Sequence, residues 1–165
     1  MSANRSRKRR QPRFSVFIQK PQGVVHPRVQ RVGPEHFGVV CVDCAKARFK
    51  WMLCDFYGNV LVPPTTVAHN RVELDAAVVQ LQSACVHHDV RDFVVAVERT
   101  GRYHHVPRNT FARACADVRT VHPFTTKQFR QPSDPDVKTD DIDLAAIHRA
   151  AVNGFALVEA APNLQ

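Results

Sequence analysis

The protein has 165 residues, of which 44% are hydrophobic and 23% charged; this suffices for one folded domain and excludes disorder throughout the chain. No apolar run approaches the roughly 18 residues that a membrane-spanning helix needs, so we predict no membrane segment. The formal charge is +8, but residues 1–31 hold nine of the 23 basic residues and no acid. The remainder, with 14 bases against 15 acids, is nearly neutral.

Residues 1–36 are predicted to form a mostly disordered basic arm. They show no hydrophobic periodicity and contain four prolines, each of which removes a backbone donor. Such an arm is expected to bind nucleic-acid phosphates with release of counterions. The bases proposed for this contact are Arg5, Arg7, Lys8, Arg9, Arg10 and Arg13. The alternative is a solvated leader without a binding role.

The first half of the following domain, which we place at 37–165, reads as three strands joined by short connections. The apolar run Phe37–Val42 fits a buried strand, and Arg48–Asp55 begins with alternating polar and apolar residues. A turn at Tyr57-Gly58-Asn59 precedes a third strand, Val60–Val67, which Pro63 and Pro64 are expected to interrupt. The short connections predict an antiparallel meander.

The second half alternates helices and strands. In chain order, the patterns predict a helix over about 70–86, a strand at 92–97, a helix over 104–116, a strand at 118–122, a polar connection at 124–138 with one helical turn, and a helix over 139–153 with Thr139 as its N-cap. The order βββαβαβα predicts an α/β fold: a mixed five-stranded sheet flanked by helices, as in ribonuclease-H-like folds.

Four carboxylates follow this pattern in a way that suggests a metal site. Asp43 and Glu98 each come directly after an apolar strand run, and those two strands are neighbours in a sheet of this order. Asp140 and Asp143 are three residues apart on the last predicted helix, and hence on one of its faces. Clustered acids repel one another unless a cation neutralises them, and oxygen ligands suit Mg²⁺ or Mn²⁺. Each acid taken singly is also consistent with a surface charge or a helix cap.

Three segments of the sequence resemble, in order, the three blocks of the DEDD transposases of the insertion-sequence-110 family, whose N-terminal domain is RuvC-like. The segments are Val42–Lys46, Val97–His104 and Lys138–Asp143, and the resemblance covers residues 38 to about 155. It implies that Asp43, Glu98, Asp140 and Asp143 are the catalytic, metal-binding residues. It also implies DNA as a substrate, a structured guide RNA as a partner and a homo-oligomer when full length.

Family members continue into a second domain that carries a catalytic serine, which matches no serine of this sequence. We therefore expect this chain to be the RuvC-like half of a transposase, an enzyme by resemblance but incomplete as a single chain. The alternatives are a stand-alone RuvC-like endonuclease and a non-catalytic nucleic-acid-binding remnant. Five cysteines without an export signal, together with a DNA substrate, predict a cytoplasmic, nucleoid-associated location.

Two lysines and two cysteines near the acids allow more than one interpretation. Lys46 and Lys138 flank the first and last acidic segments and are proposed to contact nucleic acid, although a solvated lysine is an equally good explanation. Cys41 and Cys44 have zinc-like spacing, but they lie on opposite faces of one strand, which favours buried thiols.

Overall fold

The computed structural model describes residues 25–114, 117–130 and 141–159 of the chain. Five strands and five α-helices lie within these ranges: α1 Val25–Val32, β1 Phe37–Cys44, β2 Arg48–Asp55, β3 Val60–Ala68, α2 Arg71–His87, β4 Asp92–Glu98, α3 His105–Ala112, β5 Val118–Val121, α4 Pro123–Phe129 and α5 Ile142–Val152. A short 3-10 helix, Pro34–His36, joins α1 to β1. No helix among these residues is both long and apolar enough to cross a bilayer.

The strands form one mixed sheet in the order β3-β2-β1-β4-β5. The first three strands pair antiparallel, whereas β4 runs parallel to both β1 and β5. This confirms the predicted ribonuclease-H-like α/β fold, with an antiparallel meander extended by two crossover strands. It also brings the carboxyl ends of β1 and β4 to the same edge of the sheet.

Helices cover both faces of the sheet, because alternate residues of the central strands are apolar on both sides. One face, with Val39 and Cys41 of β1, packs against residues of α1 and α5. The other, with Val40 and Val42, packs against α2 and Phe111 of α3. The sheet is therefore a buried middle layer, and only its edges can present polar side chains.

Residues 25–36, which the sequence analysis assigns to the arm, are part of the folded domain. In α1, Val25 and Val29 are buried against the sheet. Arg28 donates hydrogen bonds to Asp92 at 2.8 Å and to Asp117, which border the amino ends of β4 and β5. The boundary between the arm and the folded domain therefore lies before residue 36, where the sequence predicted it. The prediction assigned arginines that form ion pairs and valines that are buried to the basic arm. Residues 1–24 lie outside the described residues.

Three further boundaries differ from the predictions. β3 continues through Pro63 and Pro64, because it is an edge strand and its pairing with β2 accommodates register shifts near Leu53. The predicted polar connection contains α4, with Pro123 in its first turn and the His122 side chain accepting a hydrogen bond from Phe124 N. The last helix begins at Ile142 with Asp141 at the N-cap position, rather than after Thr139, which lies outside the described residues.

Candidate metal centre

β1 and β4 carry Asp43 and Glu98 to adjacent positions at one edge of the sheet. The last paired residues before them, Val42 and Val97, are directly opposite each other in the parallel register. Side chains alternate along a strand, so both acids share the sheet face of Cys41 and Ala96. That is the face on which α5 packs.

α5 adds a third acid to this edge. Leu144 and Ile147 bury the helix against the same sheet face, which directs its amino-terminal end to the carboxyl ends of the strands. Asp143, in the first turn, lies close enough to raise the pKa of both Asp43 and Glu98. Three of the four predicted acids therefore converge, and Asp140 lies outside the described residues.

Burial and mutual repulsion make the ionised form of Asp43 costly. Desolvation is the largest effect, followed by the negative charges of Glu98 and Asp143, and together they raise its pKa to about 6. Lys50 and Arg130 oppose this increase only in part. The carboxylate is thus placed where a positive charge would stabilise it.

Glu98 is the most enclosed of the three acids, with 6% of its surface exposed. Burial raises its pKa, and the nearby Thr126 hydroxyl lowers it without reaching normal hydrogen-bond geometry. Its Oε2 atom is buried and has no hydrogen-bond partner among the residues that the structure describes. An unpaired buried carboxylate oxygen is costly unless it binds a cation or a proton.

Two basic side chains partly neutralise these acids. Arg130, which follows α4, donates from Nε to Asp143 Oδ1 at 2.6 Å. Lys50, which is opposite Asp43 in the β1–β2 register, lies 3.5 Å from Asp141 Oδ1. Neither basic residue was predicted from the sequence. The position of Lys50 could have been inferred from the hairpin register, whereas nothing in the sequence indicates that Arg130 lies near the acids.

These residues fit a divalent cation in chemistry, although they do not form a closed set of ligands. Among the described residues, no three acidic, histidine or cysteine side chains approach one another closely enough to hold a metal ion. Asp143 is engaged in the ion pair with Arg130, and Asp140 lies outside the described residues. The unpaired Oε2 of Glu98 and the raised pKa of Asp43 are the observations that favour a cation here.

The other predicted site residues are distributed differently. Lys46 is exposed in the β1–β2 connection, whereas Lys138 and the six bases of the arm lie outside the described residues.

Cys41 is buried, and Cys44, half-buried, donates to Glu98 O at 3.8 Å. Burial raises the pKa of both thiols, that of Cys44 to about 12 with help from Asp43 and Glu98. Protonated thiols on opposite faces of one strand agree with the buried-thiol interpretation.

Comparison with known proteins identifies a family whose model matches this sequence. The family model of the insertion-sequence-110 DEDD transposases, described as a transposase, matches residues 40–162. Among curated proteins, the comparison found no match. The matched range includes residues 40–44 of β1 and all of β4 and α5, and hence the three converging acids.

Several solved structures share parts of the fold at low sequence identity. RuvC of T. thermophilus in complex with Holliday junction substrate is 15% identical with a TM-score of 0.45, over 74% of this chain and 99% of that chain. A second Thermus thermophilus RuvC structure is 16% identical with a TM-score of 0.40, over 73% and 98%. A ROK family transcriptional regulator, a homolog of the E. coli MLC protein, is 10% identical with a TM-score of 0.39, over 58% and 30%.

Proposed function

This chain belongs to the DEDD transposases of the insertion-sequence-110 family, and we propose that it acts in metal-dependent phosphodiester chemistry during DNA transposition. The observation that carries the proposal is the convergence of Asp43, Glu98 and Asp143 at one sheet edge, where Glu98 and Asp143 raise the pKa of Asp43 and Asp143 raises that of Glu98. Carboxylates that repel one another in this way favour binding of Mg²⁺ or Mn²⁺.

In the proposed site, Asp43 and Glu98 would hold the cation from the sheet and Asp143 would hold it from α5. Asp140, which lies outside the described residues, is the fourth proposed ligand. The ion would polarise the scissile phosphate and lower the pKa of the attacking hydroxyl or water. The chain's own contribution is to fix the carboxylates on two rigid strands and a buried helix, and to limit water access to Glu98. Arg130 and the metal could share the Asp143 carboxylate, because it has two oxygens and Arg130 bonds to Oδ1.

The Arg130–Asp143 ion pair also supports a second candidate function, a nucleic-acid-binding protein without catalysis. In that case the arginine would neutralise the acids permanently, and the sheet edge would need no metal. The two candidates differ in whether the chain responds to divalent cations.

Nicking of supercoiled plasmid in Mn²⁺ or Mg²⁺ tests the catalytic proposal. We expect weak, Mn²⁺-dependent nicking by the 165-residue chain, lost in Glu98→Gln, because this change removes charge from the buried ligand while keeping its shape. Glu35→Gln is the matched control, since Glu35 is half exposed and remote from the acids. A loss of activity in both variants, or nicking and thermal stability both indifferent to Mn²⁺, would contradict the proposal.

The proposed partners are DNA and, from the family resemblance, a structured guide RNA. Residues 1–24 carry seven bases and are proposed to form the nucleic-acid-binding arm, with Lys46 and Lys138 as further contacts near the acids. Arg28 attaches α1 near the amino ends of β4 and β5, whereas Glu98 ends β4. The two ends of a seven-residue strand are roughly 20 Å apart. The arm therefore joins the domain at the opposite end of β4 from Glu98.

Deleting residues 1–24 should weaken non-specific DNA and RNA binding and reduce its salt dependence. Each duplex phosphate that the arm neutralises contributes about −0.9 to the slope of log affinity against log salt. Fluorescence anisotropy across a salt series measures both effects. Replacing the seven bases by glutamine in the full-length chain is the control for chain length and should give the same result. If the deletion leaves the affinity and slope unchanged, the arm is a solvated leader.

A further inference from the structure

Phe124, in the first turn of α4, is the most exposed phenylalanine, tyrosine or tryptophan among the residues that the structure describes. It has 63% of its surface exposed, whereas Phe37, Phe49 and Phe111 in the core are at most 1% exposed. A ring in this position forgoes the stabilisation that its burial would give. Single exposed apolar residues are common on protein surfaces, so the position and the neighbours of Phe124 determine whether it has a binding role.

Phe124 lies beside the acidic edge of the sheet. β5 ends at Val121, which is opposite Glu98 in the parallel register, and Phe124 follows three residues later. Three residues of chain span at most about 11 Å and neighbouring strands are about 5 Å apart, so the backbone of Phe124 lies within about 16 Å of that of Glu98. Thr126, two residues further on, is fully buried close to Glu98. Residues two apart point to nearly opposite sides of a helix, so α4 presents Thr126 to the acid and Phe124 to solvent.

α4 holds the ring of Phe124 in a fixed position. At the start of the helix, Pro123 lies in the first turn and His122 Nδ1 accepts a hydrogen bond from Phe124 N at 3.1 Å. At its end, Arg149 of α5 donates to Phe129 O at 3.2 Å, and the Phe129 ring packs against the core cluster that contains α5. A ring on a helix that is fixed at both ends loses little conformational entropy when it binds a partner.

The exposed side of α4 is basic. Lys127 is exposed three residues after Phe124, and the seven residues of the helix include no acid. Residues three apart lie on the same face of a helix, with about 5–6 Å between their Cβ atoms. An aromatic ring beside a cation is the combination that binds a single nucleic-acid strand, because the ring stacks on a base and the cation contacts a phosphate. Charge complementarity therefore favours a polyanion as the partner of this face.

A protein ring of this kind stacks only on a base that is not already stacked on both sides. Within a duplex, the faces of each base are covered by its neighbours, so a ring at the protein surface meets an open base face only in a single strand or at an extruded nucleotide. Phe124 is thus suited to an unpaired base and Lys127 to the phosphate next to it.

From these features we propose that Phe124 is a stacking platform for an unpaired base of a DNA strand, with Lys127 contacting the adjacent phosphate. Because the acids lie on the other side of α4, a strand held by Phe124 passes the proposed metal position. The platform would then favour substrates that are unpaired close to the scissile phosphate. The inference rests on the proposed function for the choice of DNA and for the position of the base relative to the cleaved bond.

Tryptophan fluorescence of Phe124→Trp in the full chain tests the platform. The sequence has one tryptophan, Trp51, which is fully buried and gives a constant background. In chelator, a mixed-sequence DNA single strand of about 12 nucleotides should quench the new tryptophan, whereas the blunt duplex of the same sequence should quench it little at equal nucleotide concentration. Val60→Trp is the matched control: Val60 is 54% exposed on β3, at the opposite edge of the sheet, and should not be quenched. Equal quenching at the two positions, equal quenching by the two DNAs, or no quenching of Phe124→Trp would overturn the proposal.

Phe124→Leu should weaken single-strand binding by about fivefold or more, because leucine keeps an apolar side chain but has no aromatic face. Fluorescence anisotropy of a labelled single strand in chelator measures the affinity. Val79→Ala, which shortens a side chain that is 60% exposed on α2, should bind as the wild type does, and circular dichroism melting checks that both variants fold. Wild-type affinity in Phe124→Leu would overturn the platform whether or not the protein nicks DNA. Weakened binding in Phe124→Leu without any nicking would leave the platform in place and contradict only the catalytic proposal.

Discussion

Replacing Asp43 with asparagine should raise the thermal stability of the metal-free protein at neutral pH and remove the stabilisation that Mn²⁺ gives to the wild type. Burial, Glu98 and Asp143 together raise the pKa of Asp43 to about 6, so its ionised form destabilises the fold. After allowance for solvent screening, the gain is about 1–2 kcal/mol. A metal at one hundred times its dissociation constant stabilises the wild type by about 2.7 kcal/mol. Asp43→Asn should therefore be more stable than the wild type without metal and less stable than the wild type with saturating metal.

The pH dependence of wild-type stability tests independently whether the ionised form of Asp43 destabilises the fold. Because the folded-state pKa is raised, the contribution of Asp43 to stability is fully present below its unfolded-state pKa, about 4, and is lost as the pH rises through about 6. The advantage of Asp43→Asn over the wild type should thus shrink as the pH falls from about 7 to about 4. Thermal melts with Mn²⁺ or chelator measure both effects, with the exposed Asp75→Asn as control. Equal Mn²⁺ stabilisation of Asp43→Asn and wild type would exclude Asp43 as a ligand.

The sheet and two of the acids were predictable because local patterns determine them. β2 has the predicted bounds, and the predicted strand at 92–97 differs from β4 only by Glu98. Continuous apolar runs followed at once by an acid mark buried parallel strands whose ends reach solvent. Once the strand order is known, the juxtaposition of Asp43 and Glu98 follows from the topology alone.

The parts that escaped prediction depend on contacts between residues distant in sequence. In sequence, the residues His26, Pro27 and Arg28 of α1 cannot be distinguished from the basic, proline-containing segment that precedes them. α1 is stabilised by bonds from Arg28 to aspartates in β4 and just before β5. Arg130 lies in a stretch that reads as a polar connection, and only the packing of α4 beside α5 brings it to Asp143.

Replacing Arg28 with methionine should cause the largest loss of stability of any change discussed. The guanidinium donates two hydrogen bonds of 2.8 Å to Asp92, one to Asp117 and one of 3.0 Å to Phe93 O, and it lies 5.6 Å from the Phe37 ring centre. Only about a fifth of each of the three charged side chains is exposed. Removing the cation leaves Asp92 with the exposed Arg31, at 3.6 Å, and Asp117 with Arg119. The lost bonds to these largely enclosed carboxylates cost about 2–3 kcal/mol.

Urea denaturation at neutral pH measures this loss, and Arg113→Met is the matched control. Arg113 also pairs with an aspartate at 2.9 Å, but both side chains are about half exposed, so its loss should cost less than about 0.5 kcal/mol. The hydrogen bonds from Arg28 lower the pKa of Asp92; burial would raise that of Asp117, but bonds from Arg119 and Arg28 reverse the shift. The wild-type advantage should therefore be present above about pH 4 and disappear as the pH falls further, when both carboxyls are protonated. Equal losses in the two variants would mean that α1 is held to the sheet by Val25 and Val29 alone, and that the ion pair adds nothing to the anchoring of the arm.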